Sequence, residues 1–193
     1  AGGSDNDAIY LEWIRDFVNG VGDNDAIVIL EPDALALDCL YQSSVELIAE
    51  AVVILKSKPG ISVYIDAGHT NWVPANEMAE RLINANISIA DGFALNVSNF
   101  YTAEENESYG EEISLLIGDK HFIIDTSRSG NGSNGEWCNP SGRKIGPAPT
   151  TNTGNNLIDA YLWVKPPGES DGNCNGGPSA GTWWPEYALS LVR

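Results

Sequence analysis

One repeated pattern governs what this chain can fold into: a short uninterrupted apolar run, a polar residue at its end, then a stretch with helical spacing. The apolar runs fall at 26–30, 61–65, 92–95, 122–124 and 161–164. The helical stretches fall at 7–20, 41–58, 75–87, 104–117 and 185–192. Strands that are apolar throughout, rather than at alternate positions, are covered on both faces, so the pattern predicts a parallel sheet with helices packed outside it. After the successive strands come Glu31-Pro32-Asp33, Asp66, Asn96, Asp125 and Lys165. In a parallel β/α barrel those strand ends converge on one face, where such barrels carry their sites. An open doubly wound sheet explains the alternation equally well, but it places its ligand at one switch point and needs no polar end on every strand. The expectation is an α/β fold of the β/α-barrel kind, with residues 1–193 in a single domain. Residues 126–160 are Gly/Asn/Pro-rich, a loop region long enough to suggest function.

Composition narrows the partners. The 193 residues carry 27 Asp+Glu against 10 Lys+Arg, a formal net charge of -17. That field repels phosphate backbones and anionic headgroups, so neither nucleic acid nor a membrane surface is an expected partner. No apolar run approaches the roughly 18 residues of a membrane span. A neutral ligand suits the charge, and the six Trp point to sugar; solubility accounts for the acidity equally well. The opening Ala1-Gly2-Gly3-Ser4-Asp5 reads as loop inside a domain and has no leader pattern. The His are isolated and the Cys fit no zinc spacing, so no metal and no cofactor is expected. No G-x-G-x-x-G follows a strand and no G-x-S-x-G elbow is present. Cys138 and Cys174 lie in Gly/Asn-rich loops. A bridge closing that loop of about 37 residues would stabilise by roughly 4 kcal/mol in the chain-entropy model. Cys39 is left over.

The chemistry-bearing residues sit at the strand ends. Glu31-Pro32-Asp33 offers two carboxylates in a turn fixed by Pro, suited to acid–base work, with a helix cap as the plainer alternative. Asp66-Ala67-Gly68-His69 ends the next strand, with Trp72 just beyond. Asp125 and Arg128 read as a structural ion pair, and residues 165–171 supply Lys165, Glu169 and Asp171. Gathered on one face, Asp33, Asp66 and Asp171 would raise one another's pKa and keep a neutral acid available near pH 6. Glycosidic cleavage needs that arrangement: one carboxylic acid protonates the leaving oxygen while a second carboxylate directs the attack. Trp72 and Trp137 lie in loops, where an indole can offer its face to a pyranose ring. Trp13 and Trp163 read as core or barrel packing.

Six ordered blocks resemble glycoside hydrolase family 6. They are residues 28–35 around Glu31-Pro32-Asp33, residues 64–69 ending at His69, Asn96-Val97-Ser98-Asn99, Asp125-Thr126-Ser127-Arg128, Glu136-Trp137-Cys138, and residues 165–172. The resemblance covers essentially the whole chain, is strongest to bacterial secreted endoglucanases, and implies a distorted α/β barrel that cleaves β-1,4-glucan with inversion. It implies that Asp33 is the general acid, Asp66 a supporting carboxylate, and Asp171 the carboxylate proposed as base, a role for which a water relay is the rival. It places His69 and Trp72 on the leaving-group side, Trp137, Lys165 and Glu169 on the non-reducing side, and Asn96 between. It pairs Cys138 with Cys174. The partner it implies is cellulose or soluble β-1,4-glucan, bound by a secreted monomer. The family's opening strands, with an Arg-Asp-Cys block whose Asp joins the proton relay and whose Cys pairs at the Cys39 position, have no counterpart here. The barrel is therefore expected to be incomplete at its N-terminus. A cellobiohydrolase of the same family and a non-catalytic glucan-binding protein are the alternatives. The short stretch from Asp171 to Trp183 argues against the first, and retention of three carboxylates against the second.

Overall fold

The structure, a computed structural model, describes residues 6–193; the loop expected at residues 1–5 lies outside them. The elements alternate as α1 (Asp7–Val21), β1 (Ala26–Leu30), α2 (Asp38–Lys56), β2 (Ile61–Asp66), α3 (Ala75–Asn84), β3 (Gly92–Leu95), α4 (Ala103–Leu116), β4 (His121–Asp125), β5 (Ile158–Leu162) and α5 (Pro185–Ser190). The five strands form one sheet in the order β1-β2-β3-β4-β5, and every pairing is parallel. Spatial order follows chain order with no reversal, which is barrel winding and not the doubly wound alternative. Among the described residues β1 and β5 do not meet, so the sheet is an open half-barrel.

The central strands β2, β3 and β4 are apolar because both their faces are covered, whereas the edge strand β1 leaves Ile27 58% exposed. Outward side chains such as Val63, Ile65, Phe93, Leu95, Phe122 and Ile124 meet Ile48 and Leu55 of α2, Met78 and Leu82 of α3, and Ile113 of α4 in one continuous core. The inner face carries a smaller cluster of Tyr64, Ala94, Ile123 and Ala160. Helix α4 starts on a capping box in which Thr102 accepts from the Glu105 N–H and Glu105 accepts from the Thr102 N–H.

Four expectations need correction. Helix α2 begins at Asp38, earlier than position 41, and α3 ends at Asn84, short of 87. Strand β5 occupies Ile158–Leu162, not 161–164, because the chain joins β4 through a register irregularity at Phe122/Ile123 and leaves the sheet before Trp163. Trp13 and Trp163 are not core: they are 59% and 36% exposed. In α1 the spacing supports two stripes offset by one residue. The core, chiefly through α2, takes the one containing Tyr10, Ile14, Val18 and Val21, leaving Ile9, Trp13 and Phe17 exposed. Cys138 and Cys174 form the expected disulfide, and Cys39 is free and exposed.

Candidate active site

The C-terminal ends of the five strands are tied to one another by hydrogen bonds that run from strand to strand. After β1 the backbone takes the left-handed region at Glu31 (φ 50°) and Asp33 (φ 71°), an uncommon choice for residues with a Cβ. This turn aims the Asp33 N–H at Asp66 Oδ2, 2.9 Å away at the end of β2. The Gly68 N–H donates to the same oxygen at 3.0 Å. The Gly68 carbonyl in turn accepts from the Asn96 N–H at 2.7 Å, linking β2 to the loop after β3. Asn96 and Ser98 are also left-handed (φ 65° and 57°). Such conformations cost on the order of 1–3 kcal/mol each and persist where neighbours over-determine them; here the cross-strand bonds do so.

Asp125, at the end of β4, is the hub on the far side. Its Oδ2 accepts from the Ser98 N–H and the Lys165 N–H, each at 3.0 Å, and its Oδ1 from the Ser127 N–H at 2.9 Å. One carboxylate thus fixes the loops after β3, β4 and β5. The expected ion pair with Arg128 is absent. Arg128, fully buried, instead grips Asp171 through Nη1 at 2.8 and 3.0 Å, donates to the Ser98 carbonyl, and lies over the Phe100 ring at 4.1 Å. Three backbone N–H groups hold Asp125 in place without any help from its near neighbour in sequence.

The carboxylates differ sharply in their surroundings. Asp66 is 1% exposed, and its pKa is pushed up to about 8, mainly by burial, with the two backbone donors pulling against it and the Asp33 and Asp125 charges adding to it. Its Oδ1 has no partner among the described residues. Asp33 is exposed as a residue, yet partial desolvation holds its carboxyl above the ordinary carboxylate value. Asp125 is also raised by burial, against the pull of its N–H donors. Asp171 is held by Arg128, by Lys165 Nζ at 3.5 Å and by the Asn139 N–H at 3.0 Å.

The aromatic and polar candidates divide between two sides. His69 is half-buried between Trp72 (centroids 4.9 Å apart) and Tyr101 (4.6 Å), and burial lowers its pKa. Trp137 is 69% exposed on the loop that carries the disulfide. Lys165 and Glu169 lie on the loop after β5, half-buried. Asn96 sits beneath the face at 1% exposure, its amide donating to the carbonyls of Tyr101 and Asp125, with Oδ1 unpartnered. Three functional residues, Tyr101, Asn139 and Trp183, went unread in the sequence, and a fourth, Arg128, was given the wrong partner. Tyr101 backs His69. Arg128 belongs to Asp171. Asn139 clamps the 170–174 turn through its amide. Trp183, 57% exposed, pairs by its backbone with Glu169. The consecutive Trp183-Trp184 in a Gly-rich stretch was the available signal.

Fold and site together define a parallel β/α protein that gathers carboxylates at the C-terminal ends of its strands. Sequence comparison makes that class specific. The model of glycosyl hydrolases family 6 matches residues 1–193, and the chain belongs to that family. It is 48% identical over 196 residues to endoglucanase A of Cellulomonas fimi, covering all of this chain and 43% of the relative. It is 32% identical to a probable 1,4-β-D-glucan cellobiohydrolase C of Aspergillus terreus, covering all of this chain and 53% of the relative. Among solved structures, an endoglucanase from Mycobacterium tuberculosis, in complex with methyl-cellobiosyl-4-deoxy-4-thio-β-D-cellobioside, superposes with a TM-score of 0.94 at 45% identity. That match covers 100% of this chain and 69% of the other. The chain spans about half the length of the curated relatives it matches.

Proposed function

We propose that this chain is the greater part of the catalytic domain of a secreted, monomeric endo-β-1,4-glucanase that inverts the anomeric centre. The observation that carries the reading is the Asp33–Asp66 pair. Asp33 has a carboxyl free of side-chain partners among the described residues, held above the ordinary value and reachable from solvent. Its backbone is anchored to Asp66, whose own carboxyl retains a proton to about pH 8. Near pH 6 the pair therefore keeps a proton at the face where a glycosidic oxygen can be protonated.

Asp171 is suited to a different task. Both its oxygens are already engaged, by Arg128, by Lys165 and by the Asn139 N–H, which leaves little room for a water to hand it a proton. It acts by placing negative charge near the developing oxocarbenium ion, and the attacking water loses its proton through a relay. His69 and Trp72 then receive the leaving-group sugars, and Trp137, Lys165 and Glu169 the non-reducing side. Asn96 shapes the floor between them from below. The relatives at 42–48% identity are named endoglucanases, which supports endo action.

Asp33→Ala is expected to lower turnover on cellulose by about two to three orders of magnitude while sparing substrates with an activated leaving group. Equal loss on both removes Asp33 from the role. Soluble substituted cellulose should lose viscosity well before reducing ends accumulate, and early products should be α-anomers by proton NMR. Cellobiose released from the outset with little viscosity change indicates exo action, and an initial β-anomer excludes inversion.

A further inference from the structure

We propose that the hollow between the 136–142 loop and α5 is a second oligosaccharide-binding site, separate from the strand-end cleft. Its ligand is a run of β-1,4-linked glucose units, an identity that rests on the glucanase reading. Trp183 and Trp184 are consecutive, and Trp184 is extended (φ −122°, ψ 94°), so their side chains leave the chain in opposite directions. Trp183 lies on Gly168 of the Lys165–Asp171 loop, so close that a Cβ there would fall 2.9 Å from its ring. Trp184 turns away from that loop and stacks on Tyr187, with centroids 5.3 Å apart and planes inclined by 17°. Tyr187 is 5% exposed and donates to the Pro140 carbonyl at 3.4 Å, which fixes the floor beneath the indole.

The hollow has a volume of about 520 Å³, within the range of roughly 300–1,000 Å³ typical of small-molecule sites, and Glu136, Asn175, Trp184, Glu186 and Ser190 line it. Its far wall is stiffened by the Cys138–Cys174 disulfide and by Asn175 donating to the Cys138 carbonyl at 2.9 Å. Among the described residues the carboxylates of Glu136 and Glu186 and the Trp184 indole N–H have no hydrogen-bond partner, so two strong acceptors and one donor are unspent. A pyranose uses all of these: hydroxyls donate to carboxylates, and the ring's C–H face covers an indole. A metal ion has no use for an aromatic floor, and no cluster of three acidic, His or Cys ligands occurs among the described residues.

The test titrates cellohexaose into the full chain carrying Asp33→Asn, which blocks turnover, and follows indole and amide NMR signals. The expected result is saturable movement of the Trp184 indole and the Asn175 and Ser190 amides. The double variant Glu136→Gln, Glu186→Gln and, separately, Trp184→Phe should weaken that response about threefold to tenfold and leave the Trp72 and Trp137 signals alone. Trp184 signals that stay still while those of Trp72 and Trp137 saturate overturn the second site and leave the glucanase reading standing. Signals that respond to calcium chloride and not to cellohexaose also overturn it. Movement at Trp184 in this variant, together with a wild-type protein that hydrolyses no glucan, upholds the site and removes the enzyme reading.

Discussion

Asp66 ends β2 with one carboxylate oxygen taken by two backbone N–H groups and the other facing no partner, so the second oxygen is where its proton resides. The consequence for stability has a definite sign. In the fold Asp66 holds its proton to about pH 8, whereas the unfolded chain loses it near the ordinary value of 3.8. Between those values the native state binds more protons than the unfolded one, so this group's contribution falls as pH rises from about 4 to about 8 and is level above that. Asp66→Asn removes that part of the slope. Melting temperatures of wild type and variant, measured from pH 4.5 to 8, should therefore diverge in the variant's favour as pH rises. A difference independent of pH would show that Asp66 is ionised in the fold. The strand-end position of Asp33, Asp66 and Asp125 was legible in sequence, since each closes an apolar run. What was not legible is which group faces which. Arg128 lies three residues from Asp125 and 43 from Asp171, so spacing points to the nearer carboxylate, but backbone N–H groups hold that one and the guanidinium meets the distant one over the Phe100 ring.

At the scale of elements, apolar runs bounded by turn residues located the strands, because a doubly covered strand has no polar positions to blur its edges. The misread elements are those at the margins. α1 carries apolar residues on two adjacent stripes, and β5 includes Asp159, whose carboxylate is spent on Tyr64 and His121 at the opposite end of the sheet from the site. Close packing between elements supplies a paired prediction. In α4, a Cβ on Gly110 would lie 2.4 Å from the Phe122 ring, which is itself stacked on Phe93. In α1, a Cβ on Gly20 meets nothing within 4 Å. Gly→Ala favours either helix by up to about 1 kcal/mol. At Gly110 that gain is set against an overpacking cost of about 1–3 kcal/mol, and the cost wins. Thermal melts should show Gly20→Ala raised and Gly110→Ala lowered, each by a few degrees. Two shifts of the same sign would mean that α4 does not sit on the sheet as closely as described.

The whole molecule divides into a regular part and a stapled part. β1 through β4 with α1 to α4 share one continuous apolar core. The long stretches after β4 and β5 have little regular structure and are held by three polar devices: the Cys138–Cys174 disulfide, the Asn139 amide on the 170–174 turn, and the Arg128–Asp171 pair. Segments that lack buried apolar contacts open at lower free energy than the core, so cutting the staple should loosen them without melting the sheet. In the chain-entropy model a loop of this length contributes about 4 kcal/mol, enough to shift local opening by several orders of magnitude but confined to the residues it closes. Under non-reducing denaturation one thiol should titrate, from Cys39, and three after reduction. Under mild reductant, hydrogen exchange should accelerate across residues 129–145 and 166–184 while β1 to β4 keep their protection. Cellulose turnover should fall in parallel, because Trp137, Lys165, Glu169 and Asp171 all ride on the stapled loops. Uniform acceleration across both parts would show instead that the molecule is a single cooperative unit, with the disulfide acting on the stability of the whole sheet.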